Sequence, residues 1–187
     1  SQMRAELGAP GQNGTFMIRT KVGEEIGQIW GPVFAGVEGN GAPRFADLNG
    51  DGRVVSNPAS ALADDGDFQQ LGKGIPSMEV GWTNQLTFKQ WDLNAFFRGA
   101  FGHSLVNNFR AFYEPLDLGA INSYNRIKTD KAVQGLTAAQ YSSLYVEKAD
   151  FVKLDNITLG YNFKPSKGVK NMRVYFNVQN AFVITNY

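Results

Sequence analysis

The stretch SMEVGWTNQLTFKQWDLNAFFRGAFG, residues 77 to 102, admits few folds, because two alternating rows of apolar side chains meet across a pair of polar residues. In its first half Met78, Val80, Trp82, Leu86 and Phe88 share one face, with Asn84 out of pattern; Glu79, Gly81, Thr83, Gln85 and Thr87 share the other. In its second half Trp91, Leu93, Ala95, Phe97, Gly99 and Phe101 lie opposite Asp92, Asn94, Phe96, Arg98 and Ala100. A repeat of two is the repeat of a strand. Folding the chain at Lys89 and Gln90 sets Phe88 by Trp91, Leu86 by Leu93, Trp82 by Phe97 and Met78 by Phe101, with Thr87 by Asp92 and Gln85 by Asn94 on the opposite face. A slip of one residue would turn every side chain over, so the agreement of the rows supports this register. Lys-Gln is not the Asn-Gly of the usual two-residue turn, and the turn is expected to hold two residues or one or two more.

A second hairpin follows the same logic. FVKLDNITLGYNF, residues 151 to 163, places Ile157, Leu159, Tyr161 and Phe163 on one face. MRVYFNVQN, residues 172 to 180, places Met172, Val174, Phe176 and Val178 there, against Arg173, Tyr175, Asn177 and Gln179. KPSKGVKN, residues 164 to 171, is the polar turn between them. An earlier strand is expected over about 16 to 22, alternating Phe16, Ile18 and Val22 against Met17, Arg19 and Lys21. The strands are thus expected over 16–22, 77–88, 91–102, 151–163 and 172–180.

Strand length bears on the solvent. A strand over residues 77 to 88, rising roughly 3.3 Å per residue and tilted near 45°, spans about 28 Å, close to the hydrocarbon thickness of a bilayer. Strands of soluble proteins are commonly about half as long. The connections alternate long (23 to 76), short (89 to 90), long (103 to 150) and short (164 to 171), as in an outer-membrane barrel with short periplasmic turns and long extracellular loops. That rule sends 77–88 inward and 91–102 outward, and sets Phe88, Trp91 and Phe163 at the periplasmic rim, where aromatic girdles are expected.

Composition agrees with many strands and turns: 21 Gly, 14 Phe, 7 Tyr and 3 Trp among 187 residues, with only 19% charged. No window approaches the roughly 18 consecutive apolar residues of a membrane helix, which leaves barrel strands open. A net charge of +1 without a basic run gives nucleic acid nothing to bind. The absence of cysteine removes disulfides, thiolate metal sites and cysteine nucleophiles. The two ends, SQMRAELG and NAFVITNY, read as those of a piece of something longer.

Between the first strands lies RFADLNGDGRVV, with Asp47, Asn49 and Asp51 at alternate positions before Gly52. The pattern opens an EF-hand loop, whose first, third and fifth side chains grip Ca²⁺. The closing half is missing: the twelfth position from Asp47 is Pro58, not Glu, and the flanks GVEGNGAP and SNPASALADDGD read as irregular surface chain rather than helices. A self-hydrogen-bonded Asx turn without metal is the plainer reading.

Five blocks in order carry a family resemblance: VGEEIGQIWGPVFAGV, FADLNGDGRV, DFQQLGKGIPSMEVGWTNQLTFKQWDLNAFFRGAFGHSLVN, YVEKADFVKLDNITLGYNF and MRVYFNVQNAFVITNY. They resemble the SusC/RagA-like TonB-dependent transporters of bacterial outer membranes, over nearly the whole chain. The resemblance implies a barrel of roughly 22 strands filled by a plug, a SusD-like surface lipoprotein acting as its lid, and energy from the TonB complex. It implies import of oligosaccharides or peptides, with no bond made or broken. Only the late part of the barrel is matched; the plug, the TonB-contacting segment and the last strand or strands lie outside the resemblance. Asp67 matches a family Asp after the DxNxDG block and would be a late ligand if Asp47, Asn49 and Asp51 hold Ca²⁺, but VSNPASALADDG looks like an insertion before it.

The fold expected is all-β, antiparallel strands of part of a large transmembrane barrel, with extracellular loops at 23–76 and 103–150. In it Glu79, Gln85, Asp92, Asn94, Arg98, Arg173, Asn177 and Gln179 would face the lumen or touch the plug. The plainer reading is that they satisfy one another and water, since a wet interior needs polar residues whatever crosses it. Outer-membrane lipid would cover the opposite face. Other chemistry is weak. His103 and Ser104 are adjacent on extended chain and point apart, so His103 reads as a loop histidine. Asp64, Asp65 and Asp67 read as solvated charge rather than a hydrolytic pair. Trp30, Phe34 and Tyr113 offer stacking platforms for sugars or packing for a partner. The reading from a different class is a secreted soluble β-sandwich that binds carbohydrate beside a calcium-stabilised loop. It requires Trp82, Phe97, Leu159 and Phe176 to face a second sheet.

Overall fold

The computed structural model describes residues 2–6, 16–54, 66–114, 127–137, 140–165, 168 and 170–187. They form two compact units, one from residues 1–75 with 104–147, the other from 76–103 with 148–187. Asp64, Asp65 and the insertion before Asp67 fall largely outside the described residues.

In the first unit β1 (Gln2–Glu6), β2 (Phe16–Lys21), β3 (Gln28–Pro32) and β6 (Phe68–Lys73) form an antiparallel sheet in the order β1-β2-β3-β6, and β4 (Phe34–Val37) pairs with β5 (Pro43–Phe45). Further on come β9 (Ser104–Val106), α1 (Asn108–Tyr113), a 3-10 turn at Ser143–Tyr145 and β10 (Val146–Lys148), which pairs with β9. The stretches 23–76 and 103–150, expected as loops, therefore carry regular structure. The flank GVEGNGAP is no irregular chain either: it closes the β4–β5 hairpin through Glu38 N donating to Ala42 O and Gly41 N to Glu38 O, each 2.9 Å. Elements of three to six residues are too short to show a period of two. Gly41 sits at φ +86°, and a Cβ there would lie 2.4 Å from Thr137 Cγ2, so this turn needs glycine. The core gathers Ile29, Ala111, Tyr141 and Tyr145, with Leu71, Val106, Leu144 and Val146 against them.

On β2 Ile18 is exposed and Arg19 buried, on opposite faces as the alternation has them, and the strand ends at Lys21, one residue before Val22. The Arg19 guanidinium lies 3.4 Å from the Trp30 ring centroid and bonds Gln28 and Glu24, so cation–π contact and hydrogen bonds satisfy it inside.

In the second unit β7 (Met78–Phe88), β8 (Trp91–Phe101), β11 (Phe151–Phe163) and β12 (Met172–Thr185) make one antiparallel sheet in the order β12-β11-β8-β7. Phe88 pairs with Trp91, Leu86 with Leu93, Trp82 with Phe97 and Met78 with Phe101, the register that the two apolar rows require. The turn holds two residues, with Lys89 at φ +55°, so the matched rows impose a left-handed residue on a lysine. On β11 the register shifts between Leu154 and Asn156. Strict alternation would put Val152 and Leu154 on the face opposite Ile157 and Leu159; the extra residue, Asp155, turns the strand so that all four share one side. The last strand runs to Thr185 rather than 180 and bends at Asn180, whose φ is +52°.

Candidate functional site

The register lines the second unit's side chains into ranks that cross the whole sheet. One face carries Phe88–Trp91–Tyr161–Val174, then Leu86–Leu93–Leu159–Phe176, Asn84–Ala95–Ile157–Val178 and Trp82–Phe97–Leu154–Phe182. The rings of Trp82 and Phe97 stack at 5.5 Å between centroids, and Trp91 meets Tyr161 edge-on at 4.8 Å. Among the described residues no second sheet covers this face: Trp82 is 60% exposed, Phe176 71% and Leu159 43%. A sandwich packed within the described chain would bury them.

The other face is polar, and all eight residues expected on it lie there by register. Gln85, Asn94 and Asn177 stand in one rank with Thr158 between the last two; Asn177 Nδ2 donates to Thr158 Oγ1 at 2.6 Å. Asp92 and Arg173 reach each other across β11, Nη2 to Oδ1 at 2.5 Å and Nε to Oδ2 at 3.2 Å. They can do so because Gly160 lies between them: a Cβ there would stand 2.5 Å from Arg173 Nη2 and 2.6 Å from Asp92. Asn162 Nδ2 adds a bond to Asp92 Oδ2 at 2.9 Å. Arg98 Nε donates to Asp155 Oδ2 at 2.9 Å, and Lys153 Nζ reaches Asp155 Oδ1 at 3.1 Å. Gln179 pairs with Asn156, and Glu79 stands at the far end beside Ala100. Sequence reasoning missed β11's share of this face, Lys153, Asp155, Asn156, Thr158 and Asn162. The signal was present in the phase break between Val152–Leu154 and Ile157–Leu159. The cations Arg98, Lys153 and Arg173 balance Glu79, Asp92 and Asp155, so the face is wet without being of one sign.

In the first unit the segment from Asp47 to Arg53 caps itself. Asp47 accepts from Gly50 N at 2.7 Å and Gly52 N at 2.8 Å; Asn49 Oδ1 accepts from Asp51 N at 3.0 Å, and Asp51 Oδ1 from Arg53 N at 2.7 Å. These are successive Asx turns. Asp67 is fully buried, not solvated, and its Oδ1 accepts from Leu48 N at 2.7 Å and Asn49 N at 3.4 Å. Among the described residues no group of three or more His, Asp or Glu side chains is gathered as for a metal. As they stand, the carboxylates fit the turn's own N–H groups rather than a cation cage.

The same unit buries a charged network that the sequence did not announce. Arg110, 6% exposed in its side chain, donates to Glu114 Oε1 at 2.7 Å and Glu147 Oε1 at 2.5 Å, and its remaining N–H groups reach the carbonyls of Leu144 and Lys131. Thr129 Oγ1 donates to Glu114, and Lys131 Nζ lies 3.2 Å from Glu147 Oε2. Burial would lower the Arg110 value, but the bonds to Glu114 and Glu147 outweigh it and hold it above the usual range. Burial would likewise raise Glu147, yet the bonds from Arg110 and Lys131 hold its carboxyl below the usual range. Tyr145 is pushed up to about 12, by burial first and then by the Glu114 charge. The aromatic platforms are partly spoken for: Arg19 covers Trp30, and Tyr113 packs on Phe109 at 4.7 Å between centroids. His103 is mostly buried, edge-on to Phe151 at 6.2 Å, and makes no nucleophile pair with Ser104, which opens β9.

No family model matches the chain. Among curated proteins it is 28% identical to the TonB-dependent receptor P3 of Formosa agariphila, over 96% of this chain and 20% of that protein. It is 29% identical to the TonB-dependent receptor SusC of Bacteroides thetaiotaomicron, over 79% of this chain and 15% of that protein. The chain is similar to the SusC/RagA-like TonB-dependent receptors. A solved structure of the RagAB peptide transporter superposes on 98% of the chain and 21% of its own, with a TM-score of 0.66 at 21% identity. The 'closed-closed' state of the RagAB peptide importer does so over 100% and 25%, with a TM-score of 0.64 at 16% identity. The fold shared with these SusC/RagA-like proteins is all-β, antiparallel strands of a large transmembrane barrel. The chain carries part of it, spanning about a fifth or less of the curated relatives' length. No helix among the described residues is long and apolar enough to cross a membrane.

Proposed function

We propose that the chain is a section of an outer-membrane barrel that imports nutrients, oligosaccharides or peptides, driven through TonB. One observation carries this: four strands of 11, 11, 13 and 14 residues present ranks that are apolar but for Asn84 on one face, and on the other ranks that are mostly polar, interrupted by Phe96, Ala100, Phe151, Tyr175 and Val183. Lipid then covers the apolar face. Glu79, Gln85, Asp92, Asn94, Arg98, Arg173, Asn177 and Gln179 face the lumen, where bonded amides, hydroxyls and balanced charges keep the wall hydrated without repelling either sign. In this reading a SusD-like lipoprotein closes the outer mouth and the TonB complex acts through other parts of the protein. No bond is made or broken; the named relatives are receptors and transporters rather than enzymes.

The chain itself has no cysteine, so in a cysteine-free background single cysteines report its two faces. In the full-length protein in bilayers, labels at Trp82→Cys and Phe176→Cys are expected to be quenched by brominated acyl chains and spared by water-soluble maleimide. Gln85→Cys and Asn94→Cys are expected to show the reverse. Maleimide reaching all four positions alike would overturn the barrel reading.

The Asp47–Arg53 turn serves, in this proposal, as a self-capped element that needs no Ca²⁺. Asp67→Ala removes the buried carboxylate that accepts from Leu48 N and Asn49 N and is expected to cost about 1–3 kcal/mol of local stability. Limited proteolysis of the turn reads this, and Ca²⁺ is expected to change neither the cleavage rate of the parent protein nor the heat of titration. Calcium-dependent protection that vanishes in Asp47→Ala would restore the metal reading.

A further inference from the structure

At the end of the second unit's sheet that holds the short turns, a groove of about 510 Å³ opens on the apolar face, lined chiefly by Trp91, Leu159, Tyr161, Phe163, Val174 and Phe176. Its rings brace one another: Trp91 lies 4.8 Å from Tyr161 and Tyr161 4.8 Å from Phe163, each pair edge-on. The groove is thus a built concavity between strands. The same sheet end is cationic. Lys89 occupies the β7–β8 turn, and its Nζ stands 5.2 Å over the Phe88 ring, on the apolar side. Lys164 and Lys170 flank the turn between β11 and β12, both exposed, and Asn162 N donating to Gln90 O at 2.8 Å ties the two turns together. From 86 to 92 and 160 to 175 the described charges are Lys89, Lys164, Lys170, Arg173 and Asp92, so four cations less one carboxylate leave +3. Asp92 is already held by Arg173 on the opposite face. Lys89 and Lys164 thus stand within two residues of the groove-lining Trp91 and Phe163, and Lys170 two residues before Met172; among the described residues no ion pair holds any of the three.

We propose that this groove binds one anionic phospholipid, its acyl chain along Leu159, Val174 and Phe176 and its phosphate held by Lys89, Lys164 and Lys170. The proposal rests on the barrel reading, which places this face in lipid and these turns at the periplasmic rim. Charge complementarity selects the occupant: an apolar slot alone takes any acyl chain, but a slot with three cations at one end prefers a lipid bearing net negative charge. Lysine stems suit the task, since they lie along apolar surface while the ammonium reaches the headgroup level.

The test places the full-length protein, in a cysteine-free background, in phosphatidylcholine nanodiscs containing a small, increasing fraction of phosphatidylglycerol with brominated chains. A fluorophore at Met172→Cys, beside the groove, is compared with one at Ile184→Cys, on the same face at the opposite end. Quenching at 172 is expected to saturate at low phosphatidylglycerol fraction, while quenching at 184 follows the bulk fraction. Each of Lys89→Gln, Lys164→Gln and Lys170→Gln is expected to raise the half-saturating fraction about fivefold. Equal, non-saturating quenching at both positions would overturn the lipid site and leave the barrel reading standing. An absence of quenching at either position would sink both. If the half-saturating fraction is unchanged in all three lysine variants, the cations do not select the lipid and the phospholipid proposal fails.

Discussion

Replacing Arg110 with Met is expected to cost about 3–5 kcal/mol, because it removes the guanidinium that the buried carboxylates of Glu114 and Glu147 share, leaving them Thr129 and Lys131 alone. Both acids are almost as buried as the arginine, at 4% and 8% side-chain exposure. The loss should appear in the full-length protein as faster hydrogen exchange through β9, α1 and β10, with the four long strands unchanged. The triple variant Arg110→Met, Glu114→Leu, Glu147→Leu is expected to recover most of it, since an apolar cluster of similar volume also fills the site. Exchange unchanged in the single variant would mean that the network contributes nothing to local stability. Acid probes the same contacts. The Glu147 carboxyl titrates below its ordinary 4.5, so its contribution is complete above that value and is lost as pH falls through the lower folded one. Protection of this segment should therefore hold at neutral pH and fade only below about pH 4.5.

The second large effect is expected at Val178, which stands in the middle rank of the apolar face with Ile157, Ala95 and Asn84. Val178→Arg puts a guanidinium into the hydrocarbon layer near mid-span, at a cost of about 2–4 kcal/mol. The neighbouring change Asn177→Arg points to the opposite, polar face and is expected to stay within about 0.5 kcal/mol. Urea unfolding in bilayers, followed by tryptophan fluorescence, compares the two. Equal midpoints would mean that the two faces meet the same solvent, and the assignment of lipid to the Val178 side would fall.

The long strands were legible for a physical reason. A side-chain period of two is written directly into residue order, and where one face is apolar over eleven residues only one register matches row to row, so Trp82 had to meet Phe97. That constraint overrode turn chemistry, holding Lys89 at positive φ where glycine or asparagine is usual. The bulge at Asp155 was harder to see, because a single inserted residue looks like two short patterns in conflict until a partner strand shows which phase continues. Apart from β2, the first unit was not legible as structure. Its strands have three to six residues, its core joins Ile29 to Tyr141 and Tyr145 from far along the chain, and its buried charges make sense only as partners. Arg19 shows the difficulty: the pattern sets it opposite Ile18 but does not say what covers it, and only Trp30 and Gln28, supplied by the next strand, make its burial tolerable.

Residue order alone determined the hairpin register, the two-faced sheet and the length that suits a bilayer, since these depend on neighbours two residues apart. Only the tertiary structure decided that Asp92 and Arg173 join across Gly160, that Asp67 closes the turn at Leu48 and Asn49, and that Arg110 lies between two acids. Among those contacts Leu48 and Asp67 are 19 positions apart, Arg110 and Glu147 37, and Asp92 and Arg173 81. A chain's local pattern carries no trace of a partner that only folding brings within 3 Å.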